Sequence, residues 1–166
     1  MSIFKKIISI SMIGILSIGL TACSNKDNIS SKKYLSVEEI KQAIIKDELL
    51  TIQPIIETPA TEHSLLEPVK DKIEEGVVIQ SSNDNSLQDV IIVKANNKED
   101  AEIVESELET YITYLKNESP FQDGYGGDVN EESAATATLG IKGKYVYLIA
   151  APTLFDIEDK ILSFIK

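Results

Sequence analysis

The chain has 166 residues, a length suited to one domain, with 27 acidic residues against 16 basic ones and a formal net charge of −11. Every basic residue is a lysine, and acidity of this order argues against nucleic acid, whose binders need clustered cations, and against electrostatic docking on anionic lipid. The single Cys excludes an internal disulfide, one Cys with one His excludes a Cys/His metal cage, and 43% hydrophobic content is enough for a real core.

Lys5 and Lys6 form a short positive region, and Ile7 to Leu20 follow without a charge. As a helix this apolar run spans roughly 21 Å, short of the ~30 Å that a bilayer core demands. A basic start, a short apolar run and then small residues read as a secretory signal peptide. Leu20-Thr21-Ala22-Cys23 then resembles the lipobox of bacterial lipoproteins. The resemblance implies that Leu20, Thr21 and Ala22 are read by the signal peptidase. It also implies that Cys23 becomes the first mature residue and carries a diacylglyceryl thioether. Two acyl chains make a stable anchor where one is marginal. Residues 1–22 are therefore expected to be removed, and two lysines go with them, so the remainder is more acidic still. Residues 23–35 read as the lipidated Cys and a polar tether of at most ~40 Å. Residues 36–166 read as one domain.

Ser36 and Glu39 have capping-box spacing ahead of the apolar stripe Val37, Ile40, Ile44 and Ile45, which predicts a helix from 37 to about 49. Residues 52–56 read as an extended apolar connector, because Pro54 disfavours helix. A short helical turn is expected within 62–75, where Ser64 and Glu67 again have capping-box spacing but Pro68 interrupts it. Val77-Val78-Ile79 and Val90-Ile91-Ile92-Val93 read as the strands of a hairpin, with 81–86 as turn chemistry. The second run is apolar on both faces, as a covered central strand would be.

Asn97 before Lys98-Glu99-Asp100 is an N-cap signal. Ala101, Val104, Leu108, Tyr111, Ile112 and Leu115 then repeat at helical spacing, predicting a helix from 98 to about 116 with an acidic outer face that includes Glu102, Glu105 and Glu109. Residues 117–132 read as a loop. Residues 134–141 alternate as a strand, Lys142-Gly143 as a tight turn, and 144–150 as a second strand. Thr153 and Asp156 read as the cap of a last helix striped by Leu154, Ile157, Ile161 and Ile165. The order from residue 77 is ββαββα. It predicts an α+β fold: an antiparallel sheet of about four strands with helices packed on one face.

Together the lipobox, the early helix, DVIIVKA, NKEDAEIVESELETYI, a Pro-containing loop and IKGKYVYLIAA before a last helix resemble a family of small Gram-positive, mostly clostridial lipoproteins known as a domain of unknown function. The resemblance covers roughly residues 36–166 and departs at SPFQDGYGGDVN, residues 119–130. It implies an anchored, extracytoplasmic domain and no established activity.

Candidate chemistry is sparse. The loop 119–132 carries Asp123, Tyr125, Asp128 and Glu131, and its acids and carbonyls are hard oxygen donors suited to Ca²⁺, although they do not match EF-hand spacing. The plainer alternative is a solvated acidic loop. His63 beside Glu62 reads as a surface residue. No Gly-x-Ser-x-Gly elbow, P-loop or dinucleotide fingerprint is present. Tyr111, Tyr145 and Tyr147 fit core packing or a Tyr-lined binding groove. The sequence therefore favours a non-enzymatic binding or accessory module of the envelope, held to the outer face of the membrane by its lipid, with no cofactor and with an envelope protein as partner. The alternative is a small envelope enzyme, or a calcium-dependent ligand-binding protein, that uses loop 119–132. A third reading is a structural spacer or a chaperone-like partner for another envelope protein, with the acidic helix face as a docking surface for a basic partner and binding that weakens with salt.

Overall fold

The computed structural model describes residues 36–165. Leu20, Thr21 and Ala22, expected as a lipobox, Cys23, expected to be lipidated, and the expected tether lie outside the described residues. The first helix, α1, spans Val37–Lys46 and opens on the predicted capping box. Ser36 Oγ accepts from the Glu39 N–H at 3.2 Å, and the Glu39 carboxylate accepts from the Ser36 N–H at 2.9 Å. The helix stops short of residue 49 because the chain turns at Asp47 and Glu48, the latter with φ 56°. Val37, Ile40 and Ile44 are buried, each stabilising the fold by about 1.5–3 kcal/mol relative to exposure.

Residues 52–56, expected to be a plain connector, lead into an edge strand, β1, Ile55–Pro59. Its prolines hide the strand signal, yet proline is tolerated at an edge where no ladder N–H is required. Two 3₁₀ segments follow, Ala60–Glu62 and Ser64–Lys72. The second is capped by His63, whose Nδ1 accepts from the Leu65 N–H at 3.3 Å, rather than by a Ser64–Glu67 box.

The hairpin is present as β2, Ile73–Ser81, and β3, Asp89–Ala95, with Val78 opposite Ile91 and Gln80 opposite Asp89. The long helix α2 spans Lys98–Asn117, and Asn97 Oδ1 accepts from the Asp100 N–H at 2.8 Å. The stretch read as one loop holds a 3₁₀ turn, Pro120–Asp123, and the start of a helix, α3, Asp128–Thr136. Residues 134–136, expected in a strand, belong to α3. Alternating Ala and Thr imitates a strand pattern, but Ser133 Oγ and Thr136 Oγ1 donate to the carbonyls of Val129 and Glu132, at 2.8 and 2.7 Å, within the helix.

Strands β4, Thr138–Lys142, and β5, Tyr145–Ala150, flank the turn Gly143-Lys144, one residue later than expected. Gly143 takes φ 64° there, as such a turn requires. The last helix, α4, is Leu154–Phe164. Thr153 does not cap it by side chain; its Oγ1 donates instead to the Leu49 carbonyl.

The sheet is wholly antiparallel in the order β1-β2-β3-β5-β4. The α+β class holds, with two corrections. The sheet has five strands rather than about four, the extra one being the proline-masked β1. Helices cover both faces rather than one. On one face α2, the 3₁₀ segment 64–72 and α3 pack over Val78, Ile91, Val93, Val146 and Leu148. On the other, α1 and α4 pack over Val77, Ile79, Val90, Ile92 and Ile149. The continuous apolar runs of β3 and β5 require this, because strand side chains alternate and every residue of β5 is buried.

Candidate functional site

Asp89 begins β3, just ahead of its apolar run Val90–Val93, and faces the α2 side of the sheet. It is 6% exposed. The Gln80 Nε2 amide donates to its Oδ1 at 3.0 Å, and the Tyr111 hydroxyl of α2 donates to its Oδ2. His63 Nε2 stands 3.2 Å from Gln80 Oε1. Because His63 Nδ1 already accepts from the Leu65 N–H, its ring proton lies on Nε2 and is donated to Gln80. Donors therefore run in one direction, from His63 through Gln80 to Asp89, with Tyr111 closing the second oxygen. Burial pushes the Asp89 carboxyl up, against the opposing pull of the Tyr111 and Gln80 donors. Burial and the neighbouring carboxylate hold the Tyr111 phenol well above its ordinary range. The network ties β2, β3, α2 and the 63–65 turn together on one face. His63 is thus half-buried and engaged, not the surface residue expected. Sequence reading missed Asp89 and Gln80; the one available signal was an acid bordering a run of four β-branched residues.

The loop 119–132 is organised around Asn130, which is 3% exposed. Its Oδ1 accepts from the Leu87 N–H at 2.9 Å, and its Nδ2 donates to the carbonyls of Asn85 at 2.8 Å and Tyr125 at 3.1 Å. Tyr125 donates its hydroxyl to Asn85 Oδ1. Gly126 is required at this crossing, since a Cβ there would lie 2.1 Å from the Asn85 carbonyl oxygen. The loop is therefore a clasp on the β2–β3 connection. Of the four residues singled out for a ligand, Tyr125 belongs to this clasp. Asp123, Asp128 and Glu131 are exposed. Among the described residues, no group of three or more His, Cys, Asp or Glu side chains is placed to hold a metal ion.

Of the three tyrosines considered for a groove, Tyr111 is half-buried on α2's core face and the other two are inside. Tyr145 and Tyr147 are 2% and 5% exposed in the layer between the sheet and the α1/α4 pair. Tyr147 donates to Glu158 Oε1 at 3.0 Å, and burial pushes its hydroxyl up to about 12. The open relief lies elsewhere. A groove of about 480 Å³ runs between α2 and β4, lined by Glu105, Glu109, Ile112, Lys116, Thr138 and Leu139 among others. A second hollow, of about 620 Å³, continues along α2 past Glu109, Tyr114 and Glu118.

A family model described as a domain of unknown function, DUF4358, matches residues 68–151. The chain belongs to this family. The DUF4358 match takes in β2 to β5 with α2 and α3, hence Gln80, Asp89, Tyr111, Asn130 and the α2/β4 groove. It leaves out α1, β1, His63 and α4. No curated protein and no solved structure matches the chain. Among the described residues no helix is long and apolar enough to cross a membrane.

Proposed function

We propose that this DUF4358 protein is a lipid-anchored lipoprotein on the extracytoplasmic face of the membrane, acting as a non-enzymatic binding or accessory module of the cell envelope. The observation that carries the anchoring is Leu20-Thr21-Ala22-Cys23, placed directly after a basic start and a short uncharged run. An accessory role is supported by where the ionisable groups stand. Asp89, buried, and Tyr111, half-buried, both titrate above their ordinary ranges and are spent on each other and on Gln80. The exposed carboxylates line the outer side of α2, where they meet solvent and any partner. An acidic body on an acylated Cys stands off an anionic membrane surface, which leaves that face accessible.

Two measurements test this reading. Cys23→Ala is expected to abolish metabolic lipid labelling and release the protein from the membrane; unchanged labelling overturns the anchor. In-cell crosslinking with the full lipidated chain is expected to capture one reproducible envelope protein that the Cys23→Ala form does not. Equal capture by both forms, or none by either, overturns the accessory role.

A further inference from the structure

The two edges of the sheet are not alike. At one, β1 begins after Pro54 and ends on Pro59, and α1 reaches over it through Lys41, whose Nζ lies 2.7 Å from Glu57 Oε2. Prolines and an inserted charge pair are the usual means of blunting an edge. At the other, β4 is Thr138-Leu139-Gly140-Ile141-Lys142, with no proline and a single charge at its end. Lys142 and Tyr145 close a two-residue turn, so this pair exchanges hydrogen bonds, and by alternation so do Gly140 with Tyr147 and Thr138 with Ile149. The N–H and C=O groups of Leu139 and Ile141 therefore point outward, away from β5. Alongside them runs the groove under α2, with Ile112 and Leu139 as its apolar lining and two acids, Glu105 and Glu109, against one cation, Lys116, on its wall.

We propose that this edge takes an extended, basic segment of a partner protein by strand addition. The partner main chain pairs with Leu139 and Ile141. Its alternate side chains on the α2 side are Lys or Arg and reach Glu105 and Glu109. Main-chain pairing supplies affinity, and the alternate side chains supply specificity. Charge selects the occupant. A second copy of this chain, net −11, would bring the same acids against these, whereas a basic strand is attracted to them. This inference rests on the accessory reading and names the surface that such a module would use.

The test uses the full-length lipidated protein in detergent micelles and two synthetic peptides, (Lys-Val)₄ and (Glu-Val)₄. The lysine peptide is expected to bind, to slow amide hydrogen exchange at Leu139 and Ile141, and to weaken as salt is raised. Charge reversal at the groove wall, at half-buried Glu105→Lys with exposed Glu109→Lys, leaves the buried stripe of α2 untouched. It is expected to weaken the lysine peptide about tenfold and to reverse the preference towards the glutamate peptide. Binding that is indifferent to the reversal, or that leaves the Leu139 and Ile141 amides unprotected, overturns the inference. So does self-association through β4 in sedimentation. Capture of an envelope partner in cells that survives the double reversal also overturns the inference while leaving the accessory reading in place; loss of all capture by the wild-type chain strikes the reading itself.

Discussion

The ring of Tyr147 lies across Gly140, its register partner on the neighbouring strand. A Cβ at Gly140 would come within 2.3 Å of the ring carbon Cζ. The ring has no room to retreat, being 5% exposed and tethered by its hydroxyl to Glu158. Gly140→Ala is therefore expected to destabilise the fold by about 1–3 kcal/mol. Urea denaturation measures this. The loss should shrink in a Tyr147→Leu background, where the obstructing ring is gone; strict additivity of the two changes would show that the contact is not the cause.

Tyr111→Phe removes a donor from a buried carboxylate while leaving the ring in place. Asp89 Oδ2 would lose its hydroxyl partner, and the expected cost is about 1–3 kcal/mol at neutral pH. Tyr114→Phe, on an exposed neighbour whose ring stacks 6.4 Å from that of Tyr111, should change stability far less. Equal effects of the two substitutions would contradict the network.

Asp89 sets an unusual pH dependence. Its folded-state pKa is raised above the ordinary 3.8, so the folded protein holds the proton where the unfolded chain has released it. Its contribution to stability is present below 3.8 and is lost as pH rises through the folded value. Glu38 and Glu74 run the other way: hydrogen bonds from Lys41, and from Lys144 and Lys94, lower them, so their contribution is lost as pH falls. The stability difference between wild type and Asp89→Asn cancels these shared terms. That difference is expected to fall as pH rises from 3.8, turning against wild type once Asp89 ionises. A flat difference between about pH 3 and 8 would argue against the raised carboxyl.

Asn130 joins two loops that are remote in sequence. Asn130→Ala leaves the Leu87 N–H without its acceptor and frees the carbonyls of Asn85 and Tyr125. A loss of about 1–3 kcal/mol is expected. Exchange of the Leu87 amide should accelerate well beyond that of the β3 amides that follow. Uniform acceleration throughout the sheet would indicate global rather than local opening.

Much of the framework was legible because its signals are local. Asn97 with its first-turn acids and a six-residue apolar stripe marks α2 unambiguously. The β-branched runs mark β2 and β3, and Ser36 with Glu39 marks the start of α1. The strand β1 was hidden by Pro54 and Pro59, which lower strand propensity wherever the strand stands; only its place at the edge makes them tolerable. Residues 134–136 were misread because small Ala and Thr side chains suit either period, and bonds to the preceding turn decided for helix.

Composition and short-range pattern by themselves determined the α+β class, the acidic character, the helical stripe of α2 and the two hairpins, β2–β3 and β4–β5. These depend on side-chain period and on caps that satisfy neighbouring backbone groups. Tertiary structure alone decided the fifth strand, the covering of both sheet faces and the pairing of Asp89 with Gln80 and Tyr111. It also decided the engagement of His63, the clasp at Asn130 and the contrast between the two sheet edges. Each of these joins groups far apart in the chain, and their partners are chosen by register and layer packing, which no local run of residues encodes.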